Sequence, residues 1–164
     1  MNNYKRFFSI SATIVLILFF DQLSKIFIIN YFQTNNSIIY LTSFLNFELI
    51  WNEGIAFGLL SFENSKVYNF ISIIILLVVL IILFVIYKTK NLTVYFYSMI
   101  VGGALGNLLD RVRYSSVPDF IDFHIGEFHW FIFNIADVFI SLGIIFMIFL
   151  ELIDNNETNK VKKI

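Results

Sequence analysis

The sequence predicts an α-helical polytopic membrane protein, with four transmembrane helices, a small β element on the outer surface and both termini cytoplasmic. Three observations carry that prediction: composition, the length of the uncharged runs, and the side on which the cations fall. Of 164 residues, 59% are hydrophobic and 14% charged, against about 45–50% and about 25% in an ordinary soluble domain. A single core of this size cannot enclose so many Ile, Leu and Phe side chains, so much of that surface must face lipid.

A bilayer's hydrocarbon core takes about 20 helical residues to cross. No charge interrupts Val67 to Tyr87 or Leu92 to Leu109, and Phe128 to Leu150 is broken only by Asp137. The first run, Phe7 to Phe20, becomes a span by continuing through Asp21 and Lys25 to about Phe32. The predicted spans are 8–31, 67–87, 92–111 and 131–152, within one integral membrane domain over residues 1–154. A cytoplasmic tail without regular structure is expected at 155–164. A cleaved leader is the competing reading of the first span, since Lys5 and Arg6 precede an apolar stretch. No small-x-small site follows, and the next residues are Asp21-Gln22-Leu23, which favours a retained helix.

Orientation follows from the cations in the loops. Lys5, Arg6, Lys88, Lys90, Lys160, Lys162 and Lys163 fall on one side, and Lys25, Lys66, Arg111 and Arg113 on the other. The excess of seven over four makes the first side cytoplasmic. Two long loops, about 33–66 and 112–130, then lie outside. In the first, Leu45, Phe47, Leu49 and Trp51 alternate with Asn46, Glu48 and Ile50, close to the period-2 pattern of a half-buried strand. Ile38 to Leu41 is its expected partner. No internal repeat or low-complexity stretch is visible.

Several chemistries are poorly supplied. The chain has no cysteine, which excludes a disulfide framework, a thiol nucleophile and a Cys-ligated zinc site. Its only histidines, His124 and His129, form no His-x-x-x-His pair, so no metal and no cofactor is expected and both are read as interfacial side chains. Net charge is −1, without a basic stripe interleaved with aromatics, so no nucleic-acid partner is expected. Gly-x-Ser-x-Gly and phosphate-binding glycine loops are absent. Spacing leaves a Ser–Lys pair open, although Ser24 and Lys25 are neighbours that point differently on a helix.

A charge at the centre of a membrane helix costs at least ~2.5–3.5 kcal/mol, so each one calls for a reason. Asp21, Lys25, Asn107, Asp110, Arg111, Asn134 and Asp137 fall near the outer ends of spans one, three and four, and Asp119 and Asp122 in the loop joining three to four. If helix four begins at Phe131, Asp137 lies roughly 9 Å below the interface. Bland readings exist for each. Asp21 and Lys25 at i, i+4 form a self-neutralising pair, Asp137 partners Lys25 or Arg111, and Gly102, Gly103 and Gly106 serve helix packing. Carboxylates nevertheless outnumber cations: Asp21, Asp110, Asp119, Asp122 and Asp137 face Lys25, Arg111 and Arg113. Two carboxylates close together share a proton. One then acts as base on a water while the other protonates or polarises a scissile carbonyl. Spacing alone does not choose between Asp119 and Asp122 as the partner of Asp137.

Five segments in order resemble the lipoprotein signal peptidases, also called signal peptidase type II. They are Asp21-Gln22-Leu23-Ser24-Lys25, Asn52-Glu53-Gly54-Ile55-Ala56-Phe57, Gly102 to Arg111, Asp119-Phe120-Ile121-Asp122 and Phe133-Asn134-Ile135-Ala136-Asp137. The resemblance covers about residues 10 to 150. It implies four transmembrane helices with an outer-surface β cradle, in a bacterial inner membrane. The implied substrates are prolipoproteins, cut before a cysteine that already carries diacylglycerol, with membrane lipid as the other partner. It further implies Asp119 and Asp137 as a catalytic dyad, Asn52, Gly54, Asn107, Arg111 and Asn134 around the substrate, and Asp21, Lys25 and Asp110 as structural support. Trp51, Pro118, Phe131 and Val138 depart from the family pattern. A proton- or solute-coupled carrier and an inactive homologue are the alternatives. A carrier would place polar groups on both sides of the bilayer centre, and an inactive homologue would lack a dyad carboxylate.

Overall fold

The computed structural model describes residues 2–35, 37–54 and 65–161. Ile55-Ala56-Phe57 of the second family-like segment, and the rest of the outer loop to residue 64, lie outside the described residues. In chain order the elements are α1 (Asn3–Asn35), β1 (Ile39–Tyr40), β2 (Leu45–Asn52), α2 (Ser65–Lys88), α3 (Thr93–Tyr114), β3 (Val117–Ile125), β4 (Phe128–Phe133) and α4 (Ile135–Val161).

Among the described residues, three helical stretches are long and apolar enough to cross a membrane: Asn3–Asn35, Asn69–Lys88 and Ile135–Ile153. Their large apolar side chains, Phe19, Phe27, Leu77, Ile81, Phe84 and Phe149 among them, are exposed on the protein's surface. The buried set is correspondingly polar and includes Asp21, Lys25, Asn107, Asp110, Asn134 and Asp137. This inside-out distribution suits a lipid solvent, in which apolar surface is free to stay outside and polar groups gather to satisfy one another.

Helix α3 is the central one, packed against α1, α2 and α4. Its small residues set the distances. A Cβ on Gly102 would meet Ile17 of α1, one on Gly103 the backbone oxygen of Ala136 in α4, and one on Gly106 the carboxylate of Asp21. At the other end of the bundle, Ile10, Val79, Ile86, Val94 and Val101 form an apolar core. There Arg6 donates to the carbonyls of Ile86 (2.9 Å) and Thr89, holding the start of α1 to the end of α2.

The strands form one antiparallel sheet in the order β1-β2-β3-β4. The expected pairing of the 38–41 segment with the 45–51 segment is present, with Ile39 opposite Phe47. The strands β3 and β4 were not expected. The loop predicted at 112–130 is mostly strand, and the predicted fourth span begins too early, because Phe131 lies in β4. The uncharged run from Phe128 changes from strand to helix at Asn134 without a change in hydropathy. Helix α4 starts at Ile135, so the 9 Å depth inferred for Asp137 does not hold: Asp137 is in the first turn. The β3–β4 hairpin closes through Gly126-Glu127, with Gly126 at φ 60°, the positive φ that a two-residue hairpin turn requires. At its other end α4 continues to Val161, where a tail without regular structure was expected.

Candidate active site

Asn134 and the first turn of α4 are the centre of the polar cluster. Asn134 precedes the helix as its N-cap, and its side-chain oxygen accepts from the Asp137 backbone N–H (3.1 Å). The Asp137 carboxylate reaches back and accepts from the Asn134 backbone N–H (3.2 Å). This reciprocal arrangement is a capping box, with Asp as the returning acid. The amide nitrogen of the same Asn134 side chain donates to Asp119 Oδ1 (2.5 Å). One residue therefore holds both carboxylates, Asp119 through its side-chain amide and Asp137 through its backbone N–H.

The remaining oxygens of that pair are also held. Asn52, at the end of β2, donates to Asp119 Oδ2 (2.7 Å), and its own oxygen accepts from the Gly54 N–H (2.8 Å). Asn107 of α3 donates to Asp137 Oδ1 (2.8 Å). Asp119 and Asp137 are 2% and 4% exposed, so neither carboxylate is well hydrated. Burial first, and then the neighbouring Asp137 carboxylate, push the Asp119 pKa up to about 6, against the opposing pull of the Asn52 and Asn134 hydrogen bonds.

Behind the pair lies a buried charge network. Lys25 Nζ donates to Asp21 (2.8 Å), Asn107 (2.8 Å) and Asp110 (2.6 Å), which uses its three protons. Asp21 Oδ1 accepts from the Ala136 N–H (2.9 Å), so α1 caps a second amide of α4. Gln22 bridges Asp21 (3.2 Å) and Asp110 (2.9 Å). Reading the sequence overlooked Gln22, whose signal was its place beside Asp21 on a helix that spends few other polar residues. Asp137 is thus not the ion-pair partner of Lys25, whose salt bridges go to Asp21 and Asp110. Arg111 donates to the carbonyls of Gly54 (3.2 Å) and Asn107 (3.3 Å).

Asp119 and Asp122 are three apart on one strand and so point to opposite sides of it. Their partners differ accordingly. Asp122 accepts from His129 and lies 3.5 Å from His124, remote from the hydrogen bonds of the pair. The two histidines, set aside in sequence as unrelated interfacial side chains, meet on one carboxylate. An apolar groove of about 490 Å³, lined by Phe20, Leu23, Phe27, Phe47, Phe120 and Ile135, runs beside the cluster.

Residues 13–153 match the family model described as signal peptidase (SPase) II. The chain belongs to that family. A lipoprotein signal peptidase of Pelagibacter ubique is 45% identical over 98% of this chain and 97% of its own length. One from Anaplasma phagocytophilum is 39% identical over 92% and 97%. A bacterial membrane enzyme solved by the in meso method superposes with a TM-score of 0.71 at 30% identity, over 91% of this chain and 90% of that one. The peptidase is a multi-pass membrane enzyme of the aspartic type that removes signal peptides from prolipoproteins. The carrier reading gives way to it. The departures from the family pattern are spread over the fold: Pro118 stands opposite Trp51 in the β2–β3 pairing, Phe131 is in β4 and Val138 in α4.

Proposed function

We propose that Asp119 and Asp137 are the catalytic dyad and hydrolyse the bond before a diacylglyceryl-modified cysteine with a single water. The observation that carries this reading is the Asn134 side chain, hydrogen-bonded to Asp119 and to the turn that holds Asp137. Burial and the neighbouring Asp137 carboxylate raise the proton affinity of Asp119, so the pair keeps one proton, which on Asp119 polarises the scissile carbonyl and later passes to the leaving amine. Asp137, held by Asn107 and Asn134, is the base that takes a proton from the attacking water. The amine leaves with the proton from Asp119 while the proton taken from water stays on Asp137, so the pair ends with one shared proton, as it began.

Asn52, Asn107 and Asn134 act first as positioning residues, because their amides are engaged with the dyad. Gly54 and Arg111, joined by a hydrogen bond at the end of β2, receive the substrate backbone. Asp21, Lys25 and Asp110 support the arrangement from behind. The apolar groove lined by Phe20, Phe27 and Phe120 suits acyl chains of the lipidated cysteine. Helix α3, 22 residues long, is the fourth span. Its polar residues Ser98, Asn107, Asp110 and Arg111 are buried, and its length of about 33 Å matches the bilayer core. Arg6 lies beside the end of α2, at the end of the bundle remote from the dyad. With the excess of cations there, this end is cytoplasmic and the dyad faces outward in the bacterial inner membrane.

The test is a gel-shift cleavage assay with a diacylglyceryl-modified prolipoprotein at constant detergent. Wild type and Asp122→Asn are expected to cleave, whereas Asp119→Asn and Asp137→Asn lose cleavage by at least about a hundredfold. Undiminished cleavage by either of the last two proteins sinks the dyad.

A further inference from the structure

The second polar cluster of the sheet is built from Asp122 and His124 on β3 and His129 on β4. Asp122 is 1% exposed, and it accepts from His129 Nδ1 through both oxygens, at 3.0 and 2.9 Å. Register explains the gathering. Asp122 and His124 are two apart and share a side of the strand, and His124 stands opposite His129 in the hairpin. The two imidazoles stack with ring centroids 4.9 Å apart.

Hydrogen bonding leaves this cluster incomplete. His124 Nδ1 is fully buried, 3.5 Å from Asp122 Oδ2, and finds no hydrogen-bond partner among the described residues. The side-chain oxygen of Asn46, which pairs with Asp122 across β2–β3, is likewise buried with no partner among the described residues. A buried polar atom without a partner costs on the order of 1–3 kcal/mol, and these two belong to residues that neighbour Asp122 along its own strand and across the β2–β3 pairing. One ligand atom from each of Asp122, His124 and His129 falls within 4.8 Å of the others. Zinc bonds of about 2.0–2.1 Å to nitrogen and oxygen put neighbouring ligands of a tetrahedron roughly 3.4 Å apart. The separations of 2.9 and 3.5 Å on Asp122 Oδ2 bracket that value, and the imidazoles need a small inward swing.

We propose that Asp122, His124 and His129 form a zinc-type divalent metal site that clasps the β3–β4 hairpin. Two imidazoles and one carboxylate are a borderline donor set, suited to zinc and poorly suited to magnesium. His129, with half of its side chain exposed, gives the ion a route from the aqueous side and leaves a coordination position open to solvent. The role is structural. The hairpin carries Asp119 on one strand and leads into Asn134 from the other, so clasping it steadies both without entering the reaction. This site stands independently of the dyad assignment.

The experiment uses the full-length chain without an affinity tag, in detergent, stripped with chelator and titrated with zinc chloride alone, with magnesium chloride as comparison. One equivalent of zinc is expected to bind by calorimetry and to raise the unfolding temperature, with no response to magnesium. His124→Gln and His129→Gln are expected to weaken zinc at least about tenfold. Cobalt(II) on the wild type supplies a readout that needs no variant: four-coordinate visible bands that zinc abolishes support the site. Folded wild type that binds no zinc, variants that bind it as tightly as wild type, or the lack of those cobalt bands would each leave an aspartate–imidazole hydrogen bond and overturn the metal.

Discussion

Asn134 donates from its amide nitrogen to Asp119 and accepts with its amide oxygen from the first turn of α4, so the geometry of the pair is set by a helix cap. A cap is a local and stiff device. Its φ/ψ and side-chain rotamer are fixed by the start of the helix itself, which makes it a precise support for a carboxylate. The raised proton affinity of Asp119 follows from the same surroundings. Its pKa is raised to about 6 chiefly by burial and then by Asp137. The fold therefore favours the protonated form. The associated stability is present in full below the unfolded value of 3.8 and is lost as pH rises through about 6. Cleavage is expected to fall on the same limb, as the pair loses its shared proton and both carboxylates become charged. The Asn52 hydrogen bond favours the ionised form of Asp119, so Asn52→Leu should move that limb to higher pH. Rate–pH profiles of the two proteins check this, and a limb that stays put or moves down contradicts it.

At the scale of elements, close approach of α3 to α4 is what lets Asn107 reach Asp137. The approach is made possible by Gly103, where an added Cβ would meet the backbone oxygen of Ala136 and the side chain of Ile140. Backbone cannot give way as a flexible side chain can. Gly103→Ala is accordingly expected to lower stability by about 1–3 kcal/mol and to reduce cleavage by parting Asn107 from Asp137. Denaturant unfolding in detergent, together with the cleavage assay, checks both parts. An unchanged protein would mean that α4 shifts without cost. The same scale shows where sequence reading stops. The helices α2 and α3 are legible as largely uncharged runs, α1 as an apolar run carried on through Asp21 and Lys25, and the β1–β2 pair as an alternation. The boundary between β4 and α4 is not, because Phe128 to Phe133 and the residues after Ile135 are equally apolar. A continuous apolar run carries no period to separate strand from helix. The one local sign is Asn134, a good N-cap residue, three before an acid.

For the whole molecule, the lipid-facing exterior leaves polar groups little choice but to converge, and Lys25 is where they meet. It joins α1 to α3 through Asp110 and Asn107, while its partner Asp21 caps α4. Removing it strands two buried carboxylates. Lys25→Met is expected to destabilise the fold by roughly 3–5 kcal/mol, and the further changes Asp21→Asn and Asp110→Asn should recover part of the loss. Unfolding curves in one detergent measure this. No recovery would show that the carboxylates serve the packing by more than their charge.

By itself the sequence determined the membrane setting, the long apolar helices, the first strand pair and the gathering of polar residues near the ends of three helices. These follow from hydropathy, charge placement and local period, which act along the chain. Its resemblance to a family named Asp119 and Asp137, though spacing left Asp119 and Asp122 equal. Only the tertiary structure decided which carboxylate meets Asn134 and which meets the histidines. The reason is the pleat of β3, which turns residues three apart to opposite sides, combined with a register that is set by pairing with β2 and β4. That pairing joins residues far apart in sequence, and no pattern within nine residues of one strand contains it.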